Sequence, residues 1–271
     1  MKPKEFKIKA GFNKLFGDKK FTYKFDFSLQ LAIINKKRKK MTKNKTLSND
    51  DSWISKLWKW ADENNIPDLE WVENKNNDNG GYFSGLPRDK EKLLNLTELD
   101  ISDNNLTELP KEIFELTNLT NFDISGNQLK ELPKEIGNLT NLTELNVGFN
   151  NITNLPKEIR NLINLTLLDV SYNQLIELPK EVCNLTNLTY FDVNENKLKE
   201  FPKEIANLTN LEGLFFNDNQ LTKLPKEIIN LTNLIWLEFS GNPNLTLTKE
   251  QKEWLMTLKE NGCGLCYDDI C

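Results

Sequence analysis

This 271-residue chain contains no histidine. Its main candidates for chemistry are therefore thiols and carboxylates. Without histidine there is no Ser–His or Cys–His nucleophilic pair and no imidazole metal ligand. The most closely spaced thiols are Cys263, Cys266 and Cys271. Three thiolates without a clear fourth ligand make a weak zinc site. We therefore expect free thiols in this segment and no bound metal.

Carboxylates recur at fixed offsets between residues 98 and 238. Paired carboxylates can serve as general acid and base, as in glycoside hydrolysis, when a water-excluding pocket separates their pKa values. A regular row on an open surface offers no such pocket. The phosphate-binding motifs GxxxxGK[ST] and GxGxxG do not occur in the sequence. We therefore predict a protein that is not an enzyme and uses no cofactor.

The fixed offsets come from a 23-residue repeat, close to LTxLxLxxNxLxxLPKEIxNLTN. Six complete copies begin at Leu96, Leu119, Leu142, Leu165, Leu188 and Leu211. A truncated seventh copy begins at Leu234. A short period that never slips predicts a solenoid, in which each copy packs mainly on its neighbours.

Each copy has a strand half and a return half. The xLxLx segment alternates, so its leucines point inward, and stacked copies should form a parallel sheet. The LPKEIxNL segment provides the return path, with its isoleucine or valine in the core. The asparagine at the ninth position of each copy is expected to be a buried scaffold residue that satisfies backbone groups of adjacent turns.

These leucines, asparagines, prolines and isoleucines resemble the leucine-rich repeat family, in the 23-residue LPxxI class of Ras-group-related, Roco-type and many bacterial proteins. The resemblance covers about residues 86–247. It implies an α/β fold, a curved solenoid with its parallel sheet on the concave side, and in most members protein recognition on that side. Two departures are mild: Phe201 replaces the leucine before Pro202, and the seventh copy loses its LPxxI half after Pro243.

The segments that flank the repeats are predicted to cap the solenoid. Apolar residues from Trp53 to Ala61 recur at helical spacing and predict an N-terminal cap helix that ends near Glu63. Thr248 and Gln251 have capping-box spacing and begin a predicted C-terminal cap helix, after which 263–271 could add a short strand. The expected domains are a basic extension, a tryptophan-rich cap, the repeats and a C-terminal cap, at 1–40, 41–85, 86–247 and 248–271.

Residues 1–40 differ in charge from the rest, with 13 Lys+Arg against 3 Asp+Glu, whereas the remainder carries 22 against 37. Residues 21–33 alternate as a strand does, although no partner strand is evident. We hypothesise that 1–40 is an appendage and that Met41 is the functional start. The basic run at 36–40 also admits a nucleic-acid interpretation, but the acidic repeats oppose it, so no nucleic-acid partner is expected.

The expected location is the cytoplasm. No apolar run approaches the roughly 20 residues that span a bilayer, and no standard secretory signal is visible, so no membrane association is expected. Asn-x-Thr triplets such as those at Asn138, Asn184 and Asn207 fall where glycans would crowd the stack. Four cysteines are too few and too clustered for the disulfide framework of a secreted scaffold.

The third, fifth, seventh and eighth positions of the copies should be exposed on the concave side. Among these 28 places, ten are acidic and none is Lys or Arg, and the C-terminal half gains aromatic residues. Acids beside exposed aromatics predict docking of a basic, partly apolar protein or peptide. The predicted contact residues are Glu98, Asp100, Asp123, Glu144, Phe149, Asp169, Tyr172, Tyr190, Asp192, Phe215, Trp236 and Glu238.

Two other interpretations of these features remain open. The fifth-position acids could simply support loops, and isolated aromatics are common on solenoids. The tryptophan-rich cap, with Trp53, Trp58, Trp60 and Trp71, could instead make the protein a self-associating structural scaffold. We expect a monomeric interaction module, of the kind used in signal transduction and scaffolding.

Overall fold

In a computed structural model of the chain, residues 51–73 and 81–266 are described. The proposed extension 1–40, the strand expected at 21–33 and the alternative start at Met41 lie outside the described residues. Of the described residues, 52–70 and 83–266 belong to one compact unit, which contains all the repeats.

The repeats form one parallel sheet, to which each copy contributes a three-residue strand. The strands of the seven copies are β3 Glu98–Asp100, β4 Asn121–Asp123, β5 Glu144–Asn146, β6 Leu167–Asp169, β7 Tyr190–Asp192, β8 Gly213–Phe215 and β9 Trp236–Glu238. They pair in sequence order, and β10, Gly264–Cys266, adds an eighth strand beside β9. The predicted parallel-sheet solenoid is confirmed.

The return halves are short 3₁₀ helices that each follow a proline. They are η1 Lys111–Glu115, η2 Lys134–Asn138, η3 Lys157–Asn161, η4 Lys180–Asn184, η5 Lys203–Asn207 and η6 Lys226–Asn230. In η2 the Ile136 N–H donates to the Pro133 carbonyl at 3.0 Å, and the Leu139 N–H donates to the Ile136 carbonyl at 3.1 Å. Tight i→i+3 bonds suit segments of five residues.

The core runs along the stack, between the sheet and the 3₁₀ helices. Seven apolar side chains per copy supply it, and in the third copy none is more than 5% exposed; they are Leu142, Leu145, Val147, Ile152, Leu155, Ile159 and Leu162. Removing this much apolar surface from water is the main stabilising contribution to the fold. Phe201 is buried as well, and its ring packs edge-on against Phe216 at 5.2 Å.

The ninth-position asparagines tie neighbouring copies together. Asn173 Oδ1 accepts the Ile152 N–H at 2.9 Å, and its Nδ2 donates to the carbonyls of Val147, Val170 and Ser171 at 3.0–3.2 Å. The same pattern recurs at Asn127, Asn150, Asn196, Asn219 and Asn242. The predicted scaffold role is confirmed for these six asparagines, whereas Asn104 in the first copy is partly exposed and its side chain donates to the Ser102 carbonyl.

Helices cover the two ends of the stack. Helix α1, Ser52–Glu63, buries Ile54, Leu57 and Ala61 against the first copy, and Lys56 Nζ lies 3.8 Å from Glu112 Oε1 on η1. The predicted N-terminal helix is confirmed. Strands β1, Glu70–Glu73, and β2, Gly81–Ser84, form a separate two-stranded sheet, and the short helix α2, Lys90–Leu94, precedes the first copy.

At the other end, helix α3, Lys249–Glu260, packs on η6. The Gln251 N–H donates to Thr248 Oγ1 at 3.3 Å, and the Thr248 N–H donates to Gln251 Oε1 at 3.0 Å, so the predicted capping box is present. The short strand expected after this helix is β10. Within the described ranges, no helix is long and apolar enough to cross a bilayer.

Candidate partner-binding face

Strand pairing places the predicted contact residues in columns on the side of the sheet directed away from the core, here called the sheet face. The third-position column contains Glu98, Asn121, Glu144, Leu167, Tyr190, Gly213 and Trp236. The fifth-position column contains Asp100, Asp123, Asn146, Asp169, Asp192, Phe215 and Glu238. Residues 23 apart in the sequence are therefore neighbours in space.

The fifth-position side chains close the turn that follows each strand. Asp123 Oδ1 accepts the Ser125 N–H at 2.9 Å and the Ser125 hydroxyl at 2.6 Å. Asp192 Oδ1 accepts the Asn194 N–H at 2.9 Å. Such bonds to the backbone two residues on are Asx turns. The loop-supporting interpretation of this column is therefore correct for one oxygen of each of these carboxylates, and a binding role for the other oxygen stays a prediction.

Two predicted contact residues are too deeply buried to act as described. Phe215 is 4% exposed and Glu238 is 6% exposed. Neither presents a surface to a partner, so their prediction as contact residues is wrong. Strand alternation alone places both on the sheet face, but it does not account for the large side chains beside them. Glu238 Oε2 accepts a hydrogen bond from Asn217 Nδ2 at 3.1 Å, which satisfies the buried carboxylate.

Glycines in the third-position column make room for the aromatic rings. A Cβ placed on Gly213 would lie 2.6 Å from Tyr190 Cδ1 and 2.9 Å from Phe215 Cε2. One placed on Gly264 would lie 2.9 Å from Trp236 Cδ1. Contacts under 3.0 Å are not tolerated, so a residue with a Cβ at either position would collide with the neighbouring ring. Glycine leaves the room, and the half-buried rings of Tyr190 and Trp236 lie over these glycines. The third-position column from Leu167 to Trp236 is thus an apolar floor.

The eighth-position residues form a rim beside the sheet face. They all have left-handed backbone, with φ between 51° and 67°, and they are Asp103, Gly126, Phe149, Tyr172, Glu195, Asp218 and Gly241. The repeat pattern did not predict this conformation, although glycine in two copies and aspartate in two others are its usual signal. The exposed rings of Phe149 and Tyr172 stack, with centroids 4.1 Å apart and planes 9° apart.

The acids of the face lie close enough together to raise one another's pKa. Burial raises the pKa of Asp192 well above its usual value, and the charges of Asp169 and Glu238 raise it further. Burial likewise raises the pKa of Asp169 and of Asp123. Exposed Glu98 lies at the start of the same face, near half-buried Asp100. A cation held close to these carboxylates would relieve the repulsion.

One of the two described C-terminal cysteines differs from the expectation of free thiols. Cys263 is a free thiol, and burial raises its pKa to about 11. Cys266, expected to be free, is disulfide-bonded, so that prediction is wrong. A disulfide weakens the argument from cysteine content for a reducing compartment. Among the described residues, no group of three or more Cys, Asp or Glu side chains could hold a metal ion.

Two surface recesses lie along the turns between strands and 3₁₀ helices. One, of about 430 Å³, is lined by Glu200, Phe201, Pro202, Lys203, Lys223, Leu224, Pro225 and Lys226. The other, of about 770 Å³, is lined by Ile176, Glu177, Lys199, Glu200, Asn219, Gln220, Thr222, Lys223, Pro243 and Asn244. Neither is lined by the acids of the sheet face.

A sequence profile described as "Leucine rich repeat" matches residues 94–152 and 140–198. Comparison with curated proteins gave no match. Many solved structures match, among them the functional domain of InlJ from Listeria monocytogenes, described as including a cysteine ladder. Its identity to this chain is 33% and the TM-score is 0.51, over 58% of this chain and 33% of InlJ.

Another match is the leucine-rich repeat ectodomain of the membrane receptor kinase GASSHO1/SCHENGEN3 from Arabidopsis thaliana, in complex with CASPARIAN STRIP INTEGRITY FACTOR 2. It has 30% identity and a TM-score of 0.55, over 68% of this chain and 23% of that one. The leucine-rich repeat domain of the type III effector XCV3220 (XopL) has 23% identity and a TM-score of 0.50, over 67% and 72% of the two chains. It supports the fold alone.

This chain spans about a third of InlJ and about a quarter of the receptor ectodomain. The matches detect no enzyme family, and leucine-rich repeat domains are generally non-catalytic modules that bind proteins or peptides. The unbroken 23-residue register, the eight-stranded parallel sheet and the profile match agree with one another. The repeats of this chain therefore belong to the leucine-rich repeat family.

Proposed function

We propose that the chain binds a basic, partly apolar segment of another protein on its sheet face and rim. The observation that carries this proposal is the single sign of charge along the columns. The third, fifth, seventh and eighth positions of the seven copies contain ten acids and no Lys or Arg. Several of these acids already repel one another across adjacent strands. The negative potential of these acids attracts a basic ligand and repels an acidic one.

The apolar floor supports the second half of the proposal. Leu167, Tyr190 and Trp236 follow one another in the third-position column, interrupted only by Gly213. Packing over glycine holds these half-buried rings in place. Little side-chain entropy is therefore lost when a ligand binds them. Aromatic residues of this kind supply much of the binding energy at protein interfaces. The rings of the third-position column, with Asp169 and Asp192 in the neighbouring fifth-position column, would fix the orientation of the bound segment.

The competing proposal of a self-associating scaffold receives less support. Trp53, Trp58 and Trp60 are partly buried and pack against the core. The Trp58 indole N–H donates to the Pro87 carbonyl at 2.9 Å. These rings are occupied in covering the first copy, which leaves little of them for contact with a second chain.

Selection of a random peptide library on the full chain tests the proposal. Enriched peptides should carry net positive charge with at least one aromatic or aliphatic residue, and their affinity should fall with added salt. The double variant Tyr190→Ser, Trp236→Ser should lose them. Ile163→Ser is the matched control, because Ile163 is equally apolar and 57% exposed but lies outside the face columns. Enrichment of acidic peptides, or equal binding to the double variant, would contradict the proposal.

The cytoplasmic location also stays a proposal. Fractionation of the source cells, with antibody against the chain, would test it directly. Recovery in a secreted or periplasmic fraction would contradict it, and the disulfide at Cys266 makes this test worth performing.

A further inference from the structure

The rim contains a feature that sheet geometry does not require. At the eighth position the backbone is left-handed in all seven copies, and glycine serves there in two of them. Bulky side chains pay a conformational cost of order 1–3 kcal/mol in this region. Phe149 and Tyr172 nevertheless occupy it side by side, at 42% and 37% exposure. Burial in the core therefore does not explain why aromatic rings occupy these two positions.

The stack leaves one aromatic face for a ligand. Phe149 lies parallel to Tyr172 at 4.1 Å and covers one face of its ring. The opposite face lies toward the next copy, whose rim residue is the exposed Glu195. The Tyr172 N–H donates to the Asn194 carbonyl at 2.9 Å, so the turn that carries Glu195 lies beside the turn that carries Tyr172. The Glu195 N–H donates to the Asn217 carbonyl at 2.9 Å, so the turn that carries Asp218 comes next.

The surroundings of the Tyr172 hydroxyl are acidic. Partial burial raises the pKa of this phenol, and the negative charges of Glu195, Asp192 and Asp218 raise it further. Three carboxylates are thus near enough to act on this ring. No Lys or Arg occupies the face columns around it. A desolvated cation binds favourably to an aromatic face that has carboxylates beside it.

We propose that Phe149, Tyr172 and Glu195 form an anchor for a single arginine side chain of the basic partner, with Asp218 at its outer edge. A guanidinium is planar, so it can stack on the free face of Tyr172 while its N–H groups donate in pairs to the Glu195 carboxylate. An ammonium group lacks both the plane and the paired donors. The anchor therefore distinguishes arginine from lysine, a preference that the charge of the face alone would not produce.

This proposal rests on the proposed function but can fail separately from it. The probes are three pentapeptide amides, acetyl-Gly-Gly-Xaa-Gly-Gly, in which Xaa is arginine, lysine or the neutral isostere citrulline. Binding is followed by NMR titration of the full chain with labelled Phe and Tyr rings. The arginine peptide should shift the Phe149 and Tyr172 signals at the lowest concentration, lysine should be weaker, and citrulline should be weakest.

Two variants test the residues. Glu195→Gln and Tyr172→Asn should each weaken arginine binding by about 3-fold to 10-fold, the loss expected when a cation–π contact or one charge partner is removed. Asparagine is chosen because it adopts left-handed backbone readily, and the melting temperature confirms folding. Glu131→Gln, at an exposed position just before η2 and outside the face columns, is the matched control and should leave binding unchanged.

Equal affinity for the three peptides, equal affinity for arginine and lysine, or unaltered binding in Tyr172→Asn overturns the arginine anchor. If the library still selects basic peptides that need Tyr190 and Trp236, only the anchor has failed. If the library selects acidic peptides, the proposed function has failed, whatever the arginine titration shows.

Discussion

At the scale of single residues, the fifth-position carboxylates combine two opposed effects. Each aspartate of this column closes a turn by accepting the backbone N–H two residues on, which favours its charged form. Burial and neighbouring acids favour its neutral form, and for Asp192 these raise the pKa well above normal. Asn146 performs the same turn closure without charge, accepting the Gly148 N–H at 3.0 Å. The turn therefore requires the acceptor oxygen and does not require the charge.

We predict that Asp192→Asn stabilises the protein at pH 7 by about 1 kcal/mol, since it keeps the acceptor and removes the repulsion with Asp169. A carboxyl whose folded pKa is raised stabilises the fold fully below its unfolded pKa of about 3.9 and loses that contribution as pH rises through the folded pKa. The gain in Asp192→Asn should therefore shrink toward pH 4. Chemical denaturation at both pH values measures it.

The exposed rim acid Asp218 supplies the control for this measurement, and Asp218→Asn should change stability by less than about 0.5 kcal/mol. A destabilised Asp192→Asn at pH 7 would show that charge repulsion is not the dominant effect in this column.

The buried asparagines give a second residue-scale prediction. Asn173→Ala should cost about 1–3 kcal/mol of unfolding free energy, because it leaves buried backbone groups of two neighbouring copies without partners. Asn104 has the same place in the first copy, but it is partly exposed and its side chain donates only to the Ser102 carbonyl, at 2.7 Å. Asn104→Ala should cost clearly less, and equal losses in the two variants would contradict the ladder interpretation.

At the scale of elements, periodicity predicted the strands, the core positions and both cap helices. Side chains along a strand alternate with a period of two, and neighbouring copies are offset by 23 residues. Together these constraints leave few arrangements that bury all the leucines. Periodicity did not specify that the return path is 3₁₀, since proline followed by four residues suits several tight turns. It also missed the left-handed rim, because Phe149 and Tyr172 are poor indicators of positive φ. The burial of Phe215 and Glu238 depended on neighbouring rings that a repeat pattern does not describe.

Gln251 connects the C-terminal helix to the last complete copy. Its Nε2 donates to the carbonyls of Leu224 and Pro225 at 3.1 and 3.2 Å, and its Oε1 completes the capping box with Thr248. We predict that Gln251→Ala costs about 2–3 kcal/mol, since it leaves buried carbonyls unpaired. Thr248→Ala removes only a cap and should cost about 1 kcal/mol. Thermal unfolding of both variants measures the difference, and a smaller loss in Gln251→Ala would contradict this role.

At the scale of the whole molecule, stacking turns distant sequence positions into columns, and the columns carry the function proposed above. Helices α1 and α3 cover the ends, which a solenoid requires for solubility. With its cap tryptophans packed inward, the chain should sediment as a 31.5 kDa monomer at micromolar concentration. A dimer that Trp53→Ala or Trp60→Ala dissociates would favour the scaffold interpretation instead.

The measurement that tests the central claim most directly is photo-crosslinking of a library-selected basic peptide that carries one benzoylphenylalanine. Mass spectrometry of the digested complex locates the attachment. We predict crosslinks to Leu167, Tyr190, Trp236 and the Phe149–Tyr172 stack, all on the sheet face and rim. Crosslinks concentrated on η1–η6, or on the recess lined by Phe201 and Leu224, would show that the partner binds elsewhere and would contradict the account.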